Sequence, residues 1–279
     1  MNSHELVLNI LVDNYAGKTQ LAEWGWAVHI SWKNKEFLFD TGRTGDVLLS
    51  NAKELGVGLG GLEGIILSHG HYDHADGIKH VLEESGCQKI YGHPEIFSNK
   101  YSVHKNGKKF SGMKIQRREL EENLGVDLKL HEGIFEIHDG MFMTGEVPFE
   151  DFDIPAEFQI KTQNGFVQDT FMDDNSLVFR TSKGLVILLG CAHRGVMNIV
   201  EYARSKFNEP VRAVVGGMHL FDADEVKIGK IINYFKKLDL EIIAPGHCTG
   251  MGPTMKLKES FPNKCLPAFS GAKFEFVGH

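Results

Sequence analysis

His69-Gly70-His71-Tyr72-Asp73-His74 places four metal-type donors within six residues. The segment follows an apolar run at 64–67, which reads as a short buried strand, and precedes a stretch at 76–84 of helical character. The donors therefore stand at a strand's C-terminal end, where the chain turns into a helix. Alternation along extended backbone points His69 and His71 to one side, with Asp73 and His74 one step further on. Imidazole nitrogen and carboxylate oxygen suit zinc, iron or manganese. One tetrahedral ion with an open position would not draw four ligands from one loop. Two adjacent ions sharing the segment is the natural reading. With 14 histidines in the chain a lone histidine says little, but an ordered set directly after a buried strand is a stronger signal.

Around this segment strands and helices alternate. A β-branched run at 6–12 predicts a strand, and strands at 26–32 and 36–40 flank the turn Lys33-Asn34-Lys35 as a hairpin. Helical spacing of Val47, Leu48 and Leu55 predicts a helix over 44–55, ended by glycines at 56–61. Asp76 is placed to cap the helix that follows the histidines. A short strand is expected at 89–92. The second half repeats the rhythm: a hairpin at 176–181 and 185–189, a helix at 196–203, a strand at 211–215, a helix at 223–236 and a strand at 241–244. No Pro- or Ser-rich linker divides the halves, so residues 1–279 read as a single domain with two similar halves, and with a lid or insertion around 98–165. Within that insertion, residues 98–118 hold seven Lys and Arg and no acid. A solvated hairpin is the plain reading; the sharper one is a lid whose cations meet an anionic substrate.

Composition bounds the alternatives. Hydrophobic and charged fractions of 42% and 24% are those of a globular chain. A net charge of −7 argues against nucleic-acid and anionic-membrane partners. The longest apolar runs are strand-sized, and residues 1–5 lack the pattern of a secretory signal, so a cytoplasmic protein is expected. Cys87, Cys191, Cys248 and Cys265 are widely spaced, and disulfides are not expected.

His-x-His-x-Asp-His after a short apolar strand resembles the signature of the metallo-β-lactamase superfamily. Phe39-Asp40-Thr41-Gly42, Leu189-Gly190-Cys191-Ala192-His193 and Ala244-Pro245-Gly246-His247 resemble its further strand-end motifs in order along the chain. The resemblance implies an α/β fold, a four-layer αββα sandwich, with two divalent ions at one edge. Zinc is the first choice, with manganese or iron as alternatives. Carried over by residue, His69, His71 and His193 would hold the first ion, and Asp73, His74 and His247 the second. Cys191 is either a further ligand or a small buried residue. Glu146 could approach the site, although a surface turn is its plainer reading. Asp40 would orient a ligand histidine, since bound imidazoles usually donate their other N–H to a carboxylate or carbonyl.

Gly190-Cys191-Ala192-His193-Arg194-Gly195, Gly216-Gly217-Met218-His219-Leu220 and Gly246-His247-Cys248-Thr249-Gly250 together are similar to the branch called dihydropterin ribofuranosyl-aminobenzene phosphate synthase-like. His219 follows two glycines at a strand end and is assigned to substrate binding and proton donation. Asp173 and Asp174 read as a turn before a strand. The leading expectation is a binuclear metal-dependent hydrolase of a small, anionic, phosphate-bearing ester, with Asp73 and His219 as catalytic residues. A pterin-diphosphate-dependent transferase and a non-catalytic metal-dependent ligand sensor are the alternatives. The expected partner is a small molecule, and oligomeric state is open.

Overall fold

β1 (His4–Val12), β2 (Ala27–Trp32) and β3 (Lys35–Phe39) run as an antiparallel meander in the structure, a computed structural model that describes residues 4–148 and 157–278. The β2–β3 turn contains only Lys33 and Asn34, both at positive φ (47° and 63°), as a type I′ hairpin requires. Lys35, expected in the turn, opens β3.

The rhythm then changes. Helix α1 (Asp46–Glu54) carries the chain to β4 (Gly64–Ile66), parallel to β3, and α2 (Tyr72–Ala75) with α3 (Ile78–Ser85) carries it to the parallel strand β5 (Lys89–Gly92). A hairpin of β6 (Lys100–His104) and β7 (Gly107–Phe110) leaves the sheet, and β8 (Asp127–Leu130) returns to it beside β5. β9 (Phe135–His138) and β10 (Met141–Met143) begin a second sheet, a second outlying hairpin follows as β11 (Phe158–Thr162) and β12 (Gly165–Gln168), and β13 (Ser176–Thr181) and β14 (Gly184–Leu189) rejoin the second sheet. Two parallel crossovers complete it: α4 (Val196–Phe207) to β15 (Val211–Gly217), and α5 (Glu225–Phe235) to β16 (Ile242–Gly246). After α6 (Met251–Ser260), β17 (Lys273–Val277) pairs with β1.

The strand orders are β17-β1-β2-β3-β4-β5-β8 and β16-β15-β14-β13-β10-β9. Alternate residues explain how the sheets stack. Val28, Ile30 and Trp32 of β2 meet Val186 and Leu188 of β14 in a shared core between the sheets. Leu185, Ile187 and Leu189 point the other way, under the helices of the second half. A central strand buried on both faces reads as unbroken apolar sequence. In α4, Val196, Ile199, Val200 and Ala203 fall on one face at helical spacing and are buried. In α1 the buried face includes Asn51 rather than Leu55, because the Asn51 amide donates to Leu11 O and Leu21 O. Helices thus cover both outer faces, giving the αββα sandwich.

Two expectations need correction. The helix expected over 76–84 is present as α3 but starts at Ile78, after Gly77, so Asp76 does not cap it. The Asp76 carboxylate instead accepts from Lys114 N (2.8 Å) and pairs with Lys114 Nζ (2.7 Å). The expected insertion at 98–165 divides. Residues 127–143 supply strands to the two main sheets, whereas the hairpins at 100–110 and 158–168 pair as a third sheet, β12-β11-β6-β7. Residues 149–156 of that stretch lie outside the described residues, as do residues 1–3 of the N-terminal segment. Among the described residues no helix is long and apolar enough to cross a membrane.

Candidate metal centre

Five strand ends meet at one edge of the sandwich. β4 leads into His69–His74, β3 into Asp40, β14 into Cys191 and His193, β15 into His219, and β16 into His247. Parallel strands joined through helices bring their carboxyl ends to the same side, where ligands bind in open α/β sheets. The backbone here is strained: Asp40, Ala192, His219 and His247 have φ of 59°, 54°, 48° and 46°. Non-glycine residues in this region cost roughly 1–3 kcal/mol each and collect at functional sites. Gly70 is demanded by space, since a Cβ there would lie 1.9 Å from Ile96 O.

The nitrogens state what the site lacks. His74 Nδ1 lies 2.7 Å from Asp40 Oδ2, and His247 Nδ1 lies 3.0 Å from Asn14 Oδ1. The Asn14 amide nitrogen donates to His247 O, so its Oδ1 is the acceptor. Both Nδ1 atoms therefore carry hydrogen, and the two Nε2 atoms face each other at 3.1 Å across the place of one proton or one cation. Lone pairs this close repel unless a cation or a proton stands between them. On the other side, Ser68 Oγ donates to Asp40 Oδ2 and accepts from His69 Nδ1 (2.8 Å), leaving His69 Nε2 bare against His71 Nδ1 at 3.0 Å. His71 Nε2 and both nitrogens of His193 are buried without a hydrogen-bond partner, which is costly unless something else fills the gap.

Donor atoms of His69, Cys191 and His193 lie within 4.8 Å of one another, and so do those of His74, Cys191 and His247. His71 adjoins the first group through His69, and Asp73 adjoins the second, with its Oδ2 3.5 Å from His247 Nε2. The structure thus brings together all six residues assigned to metal from the sequence. Burial and neighbouring imidazoles hold His69 and His193 well below the usual histidine range. Burial, then the nearby Lys100 charge, lowers His71 to about 3. Neutral imidazole is the ligating form. Burial opposes charge on His74, but Asp40 outweighs it and lifts that histidine to about 9. Burial also favours the acid form of Asp73, yet its contacts with His247 and His74 hold its carboxyl below the ordinary range. The donor set fits two divalent ions.

One buried carboxylate orients both halves. Asp40 holds His74 directly and His69 through Ser68, and Ser68 N donates to Asp40 Oδ1 (2.7 Å). Asp40→Asn should therefore weaken metal binding by about 10–100-fold, the usual effect of removing such a partner. Zinc competition against a chromophoric chelator measures it, and an unchanged affinity would contradict this role.

His219 is half-buried, with its ring 4.4 Å from that of His193 and its Nδ1 without a partner. Glu146 is drawn instead to His93 (3.3 Å) and joins neither donor group. Asp173 and Asp174 are more than a turn. Asp173 Oδ2 accepts from Gly70 N and Asp174 Oδ2 from Arg194 N, each at 2.8 Å. Asp173 Oδ1 and Asp169 Oδ2 both accept from the buried Lys100 ammonium, again at 2.8 Å. Burial opposes the Lys100 charge, and the two carboxylates more than offset it. Five of the seven cations at 98–118 are thus engaged by the protein itself: Lys100 here, Lys114 by Asp76, Lys108 over the Phe166 ring, and Arg117 and Arg118 by Glu121 and Glu122. Ser68, Asn14, Asp169 and Phe171, which stacks on His193 at 3.9 Å, carried no signal in the sequence, and Lys100 showed only as one cation of the basic segment. Only Ser68 adjoins a recognisable motif.

This fold and this edge define the class: the chain belongs to the metallo-β-lactamase superfamily, which residues 30–149 match directly. MJ0448, an uncharacterised protein of Methanocaldococcus jannaschii, is 36% identical over 91% of this chain and 94% of its own length. The 7,8-dihydropterin-6-methyl-4-(β-D-ribofuranosyl)-aminobenzene-5′-phosphate synthase of the same organism is 33% identical over 81% of this chain and 80% of its own. The crystal structure of Tm1679, described as a metal-dependent hydrolase of the β-lactamase superfamily, superposes with a TM-score of 0.85 at 31% identity, covering 98% of this chain and 99% of that one.

Proposed function

We propose that the protein is a binuclear metal-dependent hydrolase of a small anionic ester. The carrying observation is the pair of donor groups built from three strand ends, with His74 and His247 Nε2 facing each other and both nitrogens of His193 buried without a hydrogen-bond partner. The description of Tm1679 as a metal-dependent hydrolase supports the class. Divalent ions at such a site lower the pKa of water and polarise a substrate oxygen. The chain's own groups supply the rest. Asp73, ionised and buried, accepts a hydrogen bond from the attacking water and fixes its direction. His219, at the rim, gives a proton to the leaving oxygen. The exposed Arg43 guanidinium lies 5.6 Å from the ring of Tyr72, within the metal loop, and is the group we assign to the substrate anion. Arg43→Ala should raise KM for an anionic ester several-fold while metal content stays the same. Equal KM values would remove Arg43 from substrate binding.

The test is turnover of phosphomonoesters, phosphodiesters, carboxylic esters and lactones by zinc-loaded protein, before and after chelation. Hydrolysis that stops with chelator and returns with metal is the expected result. Saturable binding with no turnover across the panel would favour a ligand sensor instead. The 33% identical synthase favours a second reading, transfer to a pterin with loss of diphosphate. Product analysis with a pterin diphosphate and an aminobenzene ribose phosphate separates a joined product from simple phosphate release.

A further inference from the structure

Two aromatic rings stand in the open beside the second donor group. Trp24 and Phe221 are 40% and 58% exposed, and neither belongs to the three hydrophobic cores. They come from distant segments of the chain, yet their rings meet edge to face at 5.9 Å and 85°. The Trp24 ring also lies 5.5 Å from that of His247. Scattered single apolar residues on a surface need no explanation, but these two touch each other at the edge of a site. Both are pinned there. Asn14 Oδ1, which accepts from His247 Nδ1, also accepts from Gly25 N (3.2 Å), and Trp26 N donates to Asp73 O (3.2 Å). A Cβ on Gly25 would lie 2.8 Å from Asp73 O, so the backbone after Trp24 presses directly on the metal loop. Phe221 N donates to Cys248 O (3.1 Å), and a Cβ on Gly250 would lie 2.9 Å from Phe221 Cδ2. Glu23 ties the same segment to Arg43, its Oε1 accepting from Arg43 N at 2.9 Å. The donor groups, Arg43 and the two rings thus share one connected set of loops.

Two rings at right angles make a corner. A third planar ring placed there stacks on one face and meets the edge of the other, whereas a saturated ring of the same size gains only contact area. We propose that Trp24 and Phe221 form an aromatic subsite, and that the ester turned over here carries a planar aromatic ring. The inference rests on the hydrolase reading and names its substrate class. The anionic group goes to the donor groups and Arg43, and the ring goes to the corner beside His247.

The test compares benzylphosphonate with cyclohexylmethylphosphonate as ligands of the zinc-loaded protein. Both carry the same anion, and a carbon–phosphorus bond stands where an ester would be cleaved. Trp26 and Trp32 are fully buried, so Trp24 is the one exposed tryptophan, and its fluorescence reports on the corner. Benzylphosphonate is expected to change Trp24 emission and, by calorimetry, to bind about 10-fold more tightly than the saturated compound. That preference should fall below about twofold in Trp24→Ala and in Phe221→Ala and persist in Trp24→Phe. It should be unchanged in Met255→Ala, an exposed apolar residue of α6 outside the pair. Zinc content measured on each variant keeps loss of metal apart from loss of the subsite. Equal affinities for the two phosphonates, or a preference that survives both alanine variants, overturns the aromatic subsite and leaves the hydrolase reading standing. A dimer that either alanine variant dissociates in sedimentation velocity gives the rings to a second copy and overturns the subsite too. A ring preference that behaves as expected in a protein that hydrolyses no ester overturns the hydrolase reading and leaves the subsite standing.

Discussion

Replacing His71 or His247 with alanine is expected to reduce metal-dependent turnover to the level of the metal-free protein. His71 is the cleaner variant. Its Nε2 has no partner within the protein, so its loss leaves no neighbouring hydrogen-bond group newly stranded there. The cost to folding is then packing and the one 3.0 Å contact of its Nδ1 with His69 Nε2, and loss of activity reports on metal. His247 tests the other donor group. Its ring is held by Asn14, and its Nε2 faces His74. Removing a direct ligand should cost more than the roughly 10–100-fold in affinity expected for an orienting partner such as Asp40. Turnover and metal content measured on the same samples check this. Full turnover in either variant would take that histidine out of the metal site.

Lys100→Met is expected to destabilise the protein by about 3–5 kcal/mol, the cost of removing one partner from a buried ion pair. Lys100, Asp169 and Asp173 are all essentially inaccessible, and each carboxylate lies 2.8 Å from the ammonium. Methionine would strand two buried carboxylates without their cation. In a chain of this size the loss corresponds to a fall in melting temperature on the order of 10 °C. The effect should reach the site as well, because Asp173 uses its second oxygen to hold Gly70 N between the two first-site histidines. Zinc affinity should therefore fall together with stability. Differential scanning calorimetry with and without zinc measures both, and an unchanged melting temperature would show that this network does not hold the hairpin sheet to the metal loop.

The metal donors were legible because four of them are contiguous and the rest end strongly apolar strands. A strand end in an α/β fold is a fixed place, so His69, His193 and His247 carry their position in their local sequence. Their supports do not. Ser68 with Asp40 spans 28 positions, Lys100 with Asp173 spans 73, and His247 with Asn14 spans 233. Asp40 was readable from its strand-end motif, but Ser68, Lys100, Asp173 and Asn14 resemble ordinary polar loop residues until the sheets close. The third sheet was hidden for a related reason. β7 and β12 are exposed along their whole length and bury no alternating face, so the period that marks a strand is missing. The basic segment misled in the opposite direction: a run of cations suggested an anion-binding lid, while Lys100, the one that is buried, is a structural charge.

Anomalous diffraction at the zinc edge, from crystals of the zinc-loaded protein, tests whether two ions lie side by side at this edge. Two peaks about 3.5–4 Å apart are expected, one beside His69, His71 and His193 and the other beside Asp73, His74 and His247. One peak alone, or peaks away from these residues, would contradict the two-ion site.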